Sequence, residues 1–262
     1  MLTGLSFLFA LPFFWMLSSS LKTEADIWLY PPKWIPNPTL WSNYPEALRL
    51  MKFLKLLHNT LFITATSMLG LLFSCSWVVY GFARFRFPGR DALFVVLLAT
   101  MMLPAQVTMI PVFIIFREFG WLNTFKPLIV PAFFGNPFFI FLLRQFFMTI
   151  PTELDDAAKI DGCSYVSIWW RILLPLSKPA LATVAIFSFM GSWNDFLSPL
   201  IYLNDQSKFT LTLGLATFRG LYSTQWGYLM AASVVVLFPC VAVYFFAQRY
   251  FIEGITLTGM HG

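Results

Sequence analysis

Long uncharged stretches alternate with short polar ones along this chain, and the placing of the charges marks its elements. An ionisable group at the centre of a bilayer costs at least about 2.5 kcal/mol. Intervals without Asp, Glu, Lys or Arg therefore locate membrane-crossing segments better than helix propensity does. One such interval opens the chain at residues 2–20, and others follow at 56–83, 92–116, 127–143 and 220–248. A hydrocarbon core of about 30 Å takes roughly 20 helical residues, so these intervals read as spans, with the fourth extended to 127–146 and the last placed at 226–248. A further span is read at 179–203 although Asp195 falls inside it, in FSFMGSWNDFLSPLIYL. The fold class expected is all-α, a polytopic membrane protein of about six transmembrane helices forming a single transmembrane domain over 1–262. The fourth span carries Pro127, Pro131 and Pro137, so its ends are expected to be irregular and to rely on neighbouring helices for their freed backbone groups.

The connections differ in character. Residues 22–55 form a long first loop whose YPPKWIPNPTLW stretch is too rich in proline for a helix, while PEALRLMKFLKLL predicts an amphipathic helix lying at the interface. RFRFPGR at 84–90 and residues 117–126 are short turns, 151–178 and 204–225 are substantial loops, and 249–262 is a polar tail. No internal repeat is visible. The opening segment lacks a basic start and contains Pro12 and Trp15, so it reads as a retained first helix rather than a cleaved leader.

Composition narrows the class. Hydrophobic residues make up 58% of 262 positions and charged residues 11%, against about a quarter charged in soluble domains, which excludes a water-soluble monomer. The net charge of +5 is spread singly or beside apolar segments, a pattern that fits anionic headgroups better than nucleic acid. Cys75, Cys163 and Cys240 are odd in number and far apart, so no disulfide framework or metal site is read. The chain shows no P-loop, HExxH or dinucleotide glycine pattern, hence no phosphate cradle and no catalytic metal. Arg84, Arg86 and Arg90 crowd one short turn, which by density places that turn and both termini in the cytoplasm of an inner or plasma membrane protein.

The most informative stretch is PTELDDAAKIDGCSYVSIWWRILLPLSKP, residues 151–179. Thr152 is placed to N-cap a short helix with Asp155 three positions on, and Glu153, Asp155 and Asp156 load its first turn with charge that suits the helix dipole. Ala157 and Ala158 are small enough to let another surface approach closely, and Gly162 tolerates the positive φ of a C-cap. Ser164 is placed to cap a second short helix running through Trp169, Trp170 and Arg171 and stopped by Pro175. A plain connecting loop is the alternative. The ordered acid, paired alanines, Asp-Gly and closing proline argue for two helices joined at a glycine elbow.

This arrangement resembles the coupling-helix signature, or EAA motif, of binding-protein-dependent ABC importer permeases. The resemblance implies a cytoplasmic two-helix coupling loop that docks into an ATPase subunit, with Asp156, Ala157, Ala158, Asp161 and Gly162 at the contact and Ile172, Leu174 and Pro175 closing the motif. Asp156 stands where the family usually has glutamate. SSSLKT, HNT, VVYGFARFRFPGR, MMLPAQVTMIP, WLNT, SFMGSWNDFLSPLIYL and QRYFIEGITLTGMHG are similar to the carbohydrate-uptake subfamily, and most of all to the smaller permease of maltose-type importers. Met260 and His261 stand where valine and lysine are common. The implied partners are a second permease, two ABC ATPase subunits, an extracytoplasmic solute-binding protein and membrane lipid. The chain itself binds no cofactor, ATP and Mg being expected on the ATPase, and the implied mechanism is alternating access. Other cargo, or a scaffold or enzyme without an ATPase, are the alternatives.

Two further groups are singled out. Trp193, Asn194 and Asp195 are substrate-path candidates because polar groups inside a membrane are functional by default, the alternative being hydrogen bonds to neighbouring helices. By the same resemblance, Lys208, Arg219 and Tyr222 are candidates for touching the binding protein, the alternative being a solvated connector.

Overall fold

The computed structural model describes residues 2–220 and 224–258. Helices and the turns between them make up these residues, and pairing of the extended kind is confined among them to one bridge between Arg219 and Thr224. The chain packs as two compact units, Met1–Leu61 with Asn204–Val243, and Phe62–Leu203 with Tyr244–Gly262.

The first unit opens with the helix Leu2–Ser20, which presents Phe7, Leu8 and Phe9 outward and carries Pro12 inside. Its end is tied down by buried polar groups. The Asn43 amide donates to the carbonyls of Ser20 at 2.9 Å and Lys22 at 3.0 Å, and the Lys22 ammonium lies 4.2 Å over the Trp15 ring. The proline-rich stretch stays irregular, as its composition predicts.

The amphipathic segment that follows is not one interfacial helix. Helix Asn43–Leu50 ends at Met51, Lys52 adopts a left-handed φ of 54°, and a new helix starts at Phe53. The cause is tertiary: Met51 and Leu56 turn inward to pack against Gly214 instead of sharing one stripe. Residues 204–225 are likewise more than a connector. A turn at Gln206–Lys208 and a helix at Leu211–Ala216 bury Leu211, Leu213 and Gly214.

The second unit begins within the helix Phe53–Arg84. Leu71, Cys75 and Val79 on it meet Ile140, Leu143 and Phe147 of helix Pro137–Thr149 and Val184 of helix Lys178–Trp193 in one core. The expected span at 92–116 is broken: Arg90–Met102 and Ala105–Glu118 meet at 97°, because Pro104 forces Leu103 into an extended conformation. The irregularity expected of the fourth span is present. A tight turn at Val130–Phe134 ends at Gly135, and Asn136 caps the next helix by accepting from the N–H of Phe138 at 3.0 Å. Ser74 of the neighbouring helix donates to the freed carbonyl of Ala132 at 3.0 Å. The span placed at 179–203 is also discontinuous, with Lys178–Trp193 followed by a break and then Leu197–Tyr202.

Among the described residues, Phe53–Arg84, Lys126–Thr149 and Trp226–Phe246 are each long and apolar enough to cross a membrane. The bent pairs Arg90–Met102 with Ala105–Glu118, and Tyr165–Leu176 with Lys178–Trp193, raise the number to as many as 5, and Gly4–Ser20 is a shorter apolar helix.

Candidate functional site

The segment between Pro151 and Ser177 folds as a bent arm, and local sequence explains most of it. Helix Glu153–Ile160 gathers Glu153, Asp155 and Asp156 in its first turn, where the exposed N–H groups favour negative charge. Thr152 occupies the N-cap position, but its hydroxyl makes no capping bond. The three acids then part company. Asp156 points outward and pairs with Lys159 at 3.0 Å, which holds the Lys159 ammonium above its ordinary pKa. Asp155 turns inward, where its Oδ2 lies 2.9 Å from Nε of Arg84. Burial pushes the Asp155 carboxyl above the usual carboxylate range, while the Arg84 guanidinium pulls the other way.

The paired alanines also divide. Ala157 is exposed, as a docking contact requires, but Ala158 is 6% exposed and belongs to the core beneath the helix. Gly162 has a φ of 81°, and the backbone closes there in two hydrogen bonds, Gly162 N–H to Lys159 O at 3.0 Å and Cys163 N–H to Ala158 O at 2.9 Å. This pair of bonds is the Schellman ending that glycine favours. Nothing lies within 4 Å of where a Cβ would stand on Gly162, so the glycine serves the backbone, and the outer face is free.

Ser164 caps the second helix through Ser167 N–H at 3.3 Å, as its position predicts. The helix does not stop at Pro175. It runs as Tyr165–Ile168, widens into a π-turn at Trp169–Leu173, continues through Leu174–Leu176 and bends by 79° at Ser177. Pro175 follows the π-turn, in the last turn of this helix. It is exposed, while Ile172 and Leu174 are half-buried.

The outer surface of the elbow is apolar on both sides of an acidic tip. Ile160 is 87% exposed and Val166 55%, flanking exposed Asp161 and Gly162. The inner surface is aromatic: Trp169 sets its edge against Trp77 at 4.8 Å and Phe73 at 5.8 Å. Charge spacing pointed to the acids but not to Arg84, whose signal is that it closes the long uncharged interval 56–83.

The other candidates are scattered. Trp193 is 2% exposed and stacks on Phe189 at 5.3 Å, so its ring is part of the packing here. Asn194 is exposed and donates to Met190 O at 2.8 Å. Asp195 accepts from the N–H of Ser198 at 3.1 Å and lines an open, mostly apolar cavity of about 630 Å³ with Phe116, Trp121, Phe134 and Tyr202. Lys208 is half-buried and Arg219 exposed, while Tyr222 lies outside the described residues, as do Met260 and His261. Sequence reasoning missed Asn59 and Thr60, which hold the 204–225 segment through its backbone. No cluster of His, Cys, Asp or Glu fit to hold a metal occurs among the described residues.

Comparison with known proteins gives concordant findings. A family described as "Binding-protein-dependent transport system inner membrane component" matches residues 68–256. The probable ABC transporter permease protein YurM of Bacillus subtilis is 33% identical over 258 residues, covering 97% of this chain and 84% of that protein. The arabinooligosaccharides transport system permease protein AraQ of Halalkalibacterium halodurans is 41% identical over 194 residues, covering 74% of this chain and 69% of the relative. Among solved structures, a chain of a bacterial ABC transporter involved in the import of the acidic polysaccharide alginate superposes with a TM-score of 0.84 at 26% identity, over 95% of this chain and 94% of that one.

Proposed function

Because the chain belongs to the family of inner membrane components of binding-protein-dependent transport systems, we propose that it is the permease through which such an importer passes a sugar or oligosaccharide, coupled to its ATPase at the Gly162 elbow. Members of this family are multi-pass membrane subunits of ABC transporters, and ATP hydrolysis belongs to a separate subunit. The sugar assignment is supported by the arabinooligosaccharide and alginate transporters that this chain is similar to.

One observation carries the coupling assignment: a glycine-closed elbow that exposes Ile160 and Val166 on either side of Asp161 and Gly162. Large exposed apolar side chains around a polar tip are what a protein partner covers. Asp156, Ala157, Asp161 and Gly162 form that contact, with Pro175 on the outer side of the second arm. Ala158 supports the contact from beneath. The elbow, both termini and the 249–262 tail lie in the cytoplasm, and the domain 1–262 crosses the membrane six times, with the bent pair Arg90–Met102 and Ala105–Glu118, the helix Lys178–Trp193 and the first helix each counted as one span. A second permease and two ATPase subunits complete the assembly, and alternating access moves the solute. Asn194 and Asp195 line the solute path, whereas Trp193 packs behind it. Lys208 and Arg219 meet the binding protein.

The test is a mild-detergent purification through a tag on this chain, with mass spectrometry of what accompanies it. An ABC ATPase and a second permease are expected, and Gly162→Trp is expected to lose the ATPase while the chain still inserts. Recovery of the chain from active membranes without any ATPase overturns the assignment.

A further inference from the structure

The uncharged interior of the Phe53–Arg84 helix ends at Arg84, and the arm turns one of its acids inward to meet it. The two side chains are 4% and 8% exposed. A buried ion pair is seldom more stable than an apolar pair of the same volume, because both ions lose their hydration. Stability alone therefore gives no reason for it. What the pair has that apolar side chains lack is attraction between fixed charges. Nε of Arg84 lies 2.9 Å from Asp155 Oδ2 as an ion pair without a hydrogen bond between those atoms, while its Nη2 donates to Ile150 O at 3.0 Å. One planar guanidinium thus holds the chain on both sides of Pro151, where the membrane helix gives way to the arm.

The second half of the arm leans on the same helix. Trp169 packs edge-on against Phe73 and Trp77, and Tyr165 meets the Phe85 ring at 5.2 Å, just past the helix end. These are apolar contacts, which carry a push but slide under a pull, since hydrophobic association is not directional. A buried ion pair resists both, because the attraction between its charges opposes separation in a medium of low dielectric, and the Nη2 bond to Ile150 adds a fixed direction.

We propose that the Arg84–Asp155 pair is the link that makes the Phe53–Arg84 helix follow the elbow when the ATPase moves it, with Arg84 a positioning residue of the transport cycle. The inference rests on the coupling assignment above and adds which helix receives the motion and through which atoms.

The experiment uses the complex purified through this chain, in a background where Cys75, Cys163 and Cys240 are alanine. Spin labels are placed at Leu69→Cys and Val107→Cys, both outward-facing positions, and their separation is measured with and without trapping by ATP and vanadate. The parent is expected to show a second distance population on trapping. R84M/D155L, which replaces the pair by apolar side chains and so avoids a lone buried charge, is expected to keep its ATPase subunits and reduce that population at least fivefold. R84K, which keeps the charge but not the fork, is expected to fall between. A trapped population in R84M/D155L equal to the parent's, or no population change in a parent that does trap nucleotide, overturns the link. Absence of an ATPase from the purified parent overturns the coupling assignment instead.

Discussion

Asn59 donates from its side-chain amide to the carbonyl of Phe209 at 3.0 Å, across 150 positions of chain, and the same nitrogen reaches Ser207 O at 3.0 Å. The neighbouring Thr60 hydroxyl accepts the N–H of Leu211 at 2.9 Å and donates to Leu56 O. The HNT triplet thereby has a physical role: through Asn59 and Thr60 it fastens the backbone at Ser207, Phe209 and Leu211. Asn59→Leu leaves two carbonyls without their donor and should destabilise the protein by about 1–3 kcal/mol. If Lys208 and Arg219 meet the binding protein, the same change lowers binding-protein-stimulated ATP hydrolysis more than basal hydrolysis. Equal loss of both would assign Asn59 to folding only.

Gly162 stands in left-handed backbone with open space around it. Gly162→Ala should therefore cost about 1–2 kcal/mol through the backbone alone, and Gly162→Asn less, because asparagine tolerates that region. Thermal unfolding of the three proteins in one detergent checks the order. A Gly162→Ala protein as stable as the parent would mean that the elbow relaxes to another conformation.

Arg84→Met strands Asp155 as a lone buried carboxylate and should cost about 3–5 kcal/mol at neutral pH. The pH dependence has a definite sign. Burial already raises the Asp155 carboxyl, and Arg84 is the main opposing influence, so its removal lifts the folded value further above the unfolded one. Between those two values the folded state binds more protons than the unfolded state, and stability falls as pH rises through that window. The gap in melting temperature between Arg84→Met and the parent should be smaller at pH 5.5 than at pH 8, and should close at both when Asp155→Leu is added.

Gly214 sits under Leu56 and Met51, where an added Cβ would press on Leu56 Cδ1 and stand 3.0 Å from Met51 Cε. Gly214→Ala should cost about 1–3 kcal/mol by overpacking, and Leu56→Ala in the same chain should recover part of it. Yields of monodisperse complex by size exclusion, for the single and double variants, give the comparison.

Trp193 and Asn194 separate a packing role from a solute-facing one. Trp193→Ala empties a buried site and should cost about 3–5 kcal/mol, seen as loss of assembled complex. Asn194→Ala, on an exposed side chain, should stay within about 0.5 kcal/mol while weakening uptake of the transported sugar. Normal uptake in Asn194→Ala would remove it from the path.

The sequence determined by itself what depends on local cost. A charge in hydrocarbon is expensive wherever it stands, so the uncharged intervals point to the long apolar helices and the bent pairs. Gly162 and Ser164 announced the end of one short helix and the start of the next, because capping is settled within a few residues. Tertiary structure decided what depends on neighbours distant in the chain. Asp155 and Asp156 are the same residue type side by side, and the side on which the core meets their helix turns one inward to Arg84, from another helix, and leaves the other outward. Ala158 is buried and Ala157 exposed because the core lies on one side of their helix. Lys52 breaks an amphipathic pattern so that Met51 and Leu56 can pack against Gly214, and Trp193 is withdrawn into packing. Such choices are made by contacts between elements, and the chain's local pattern holds no record of which elements will meet.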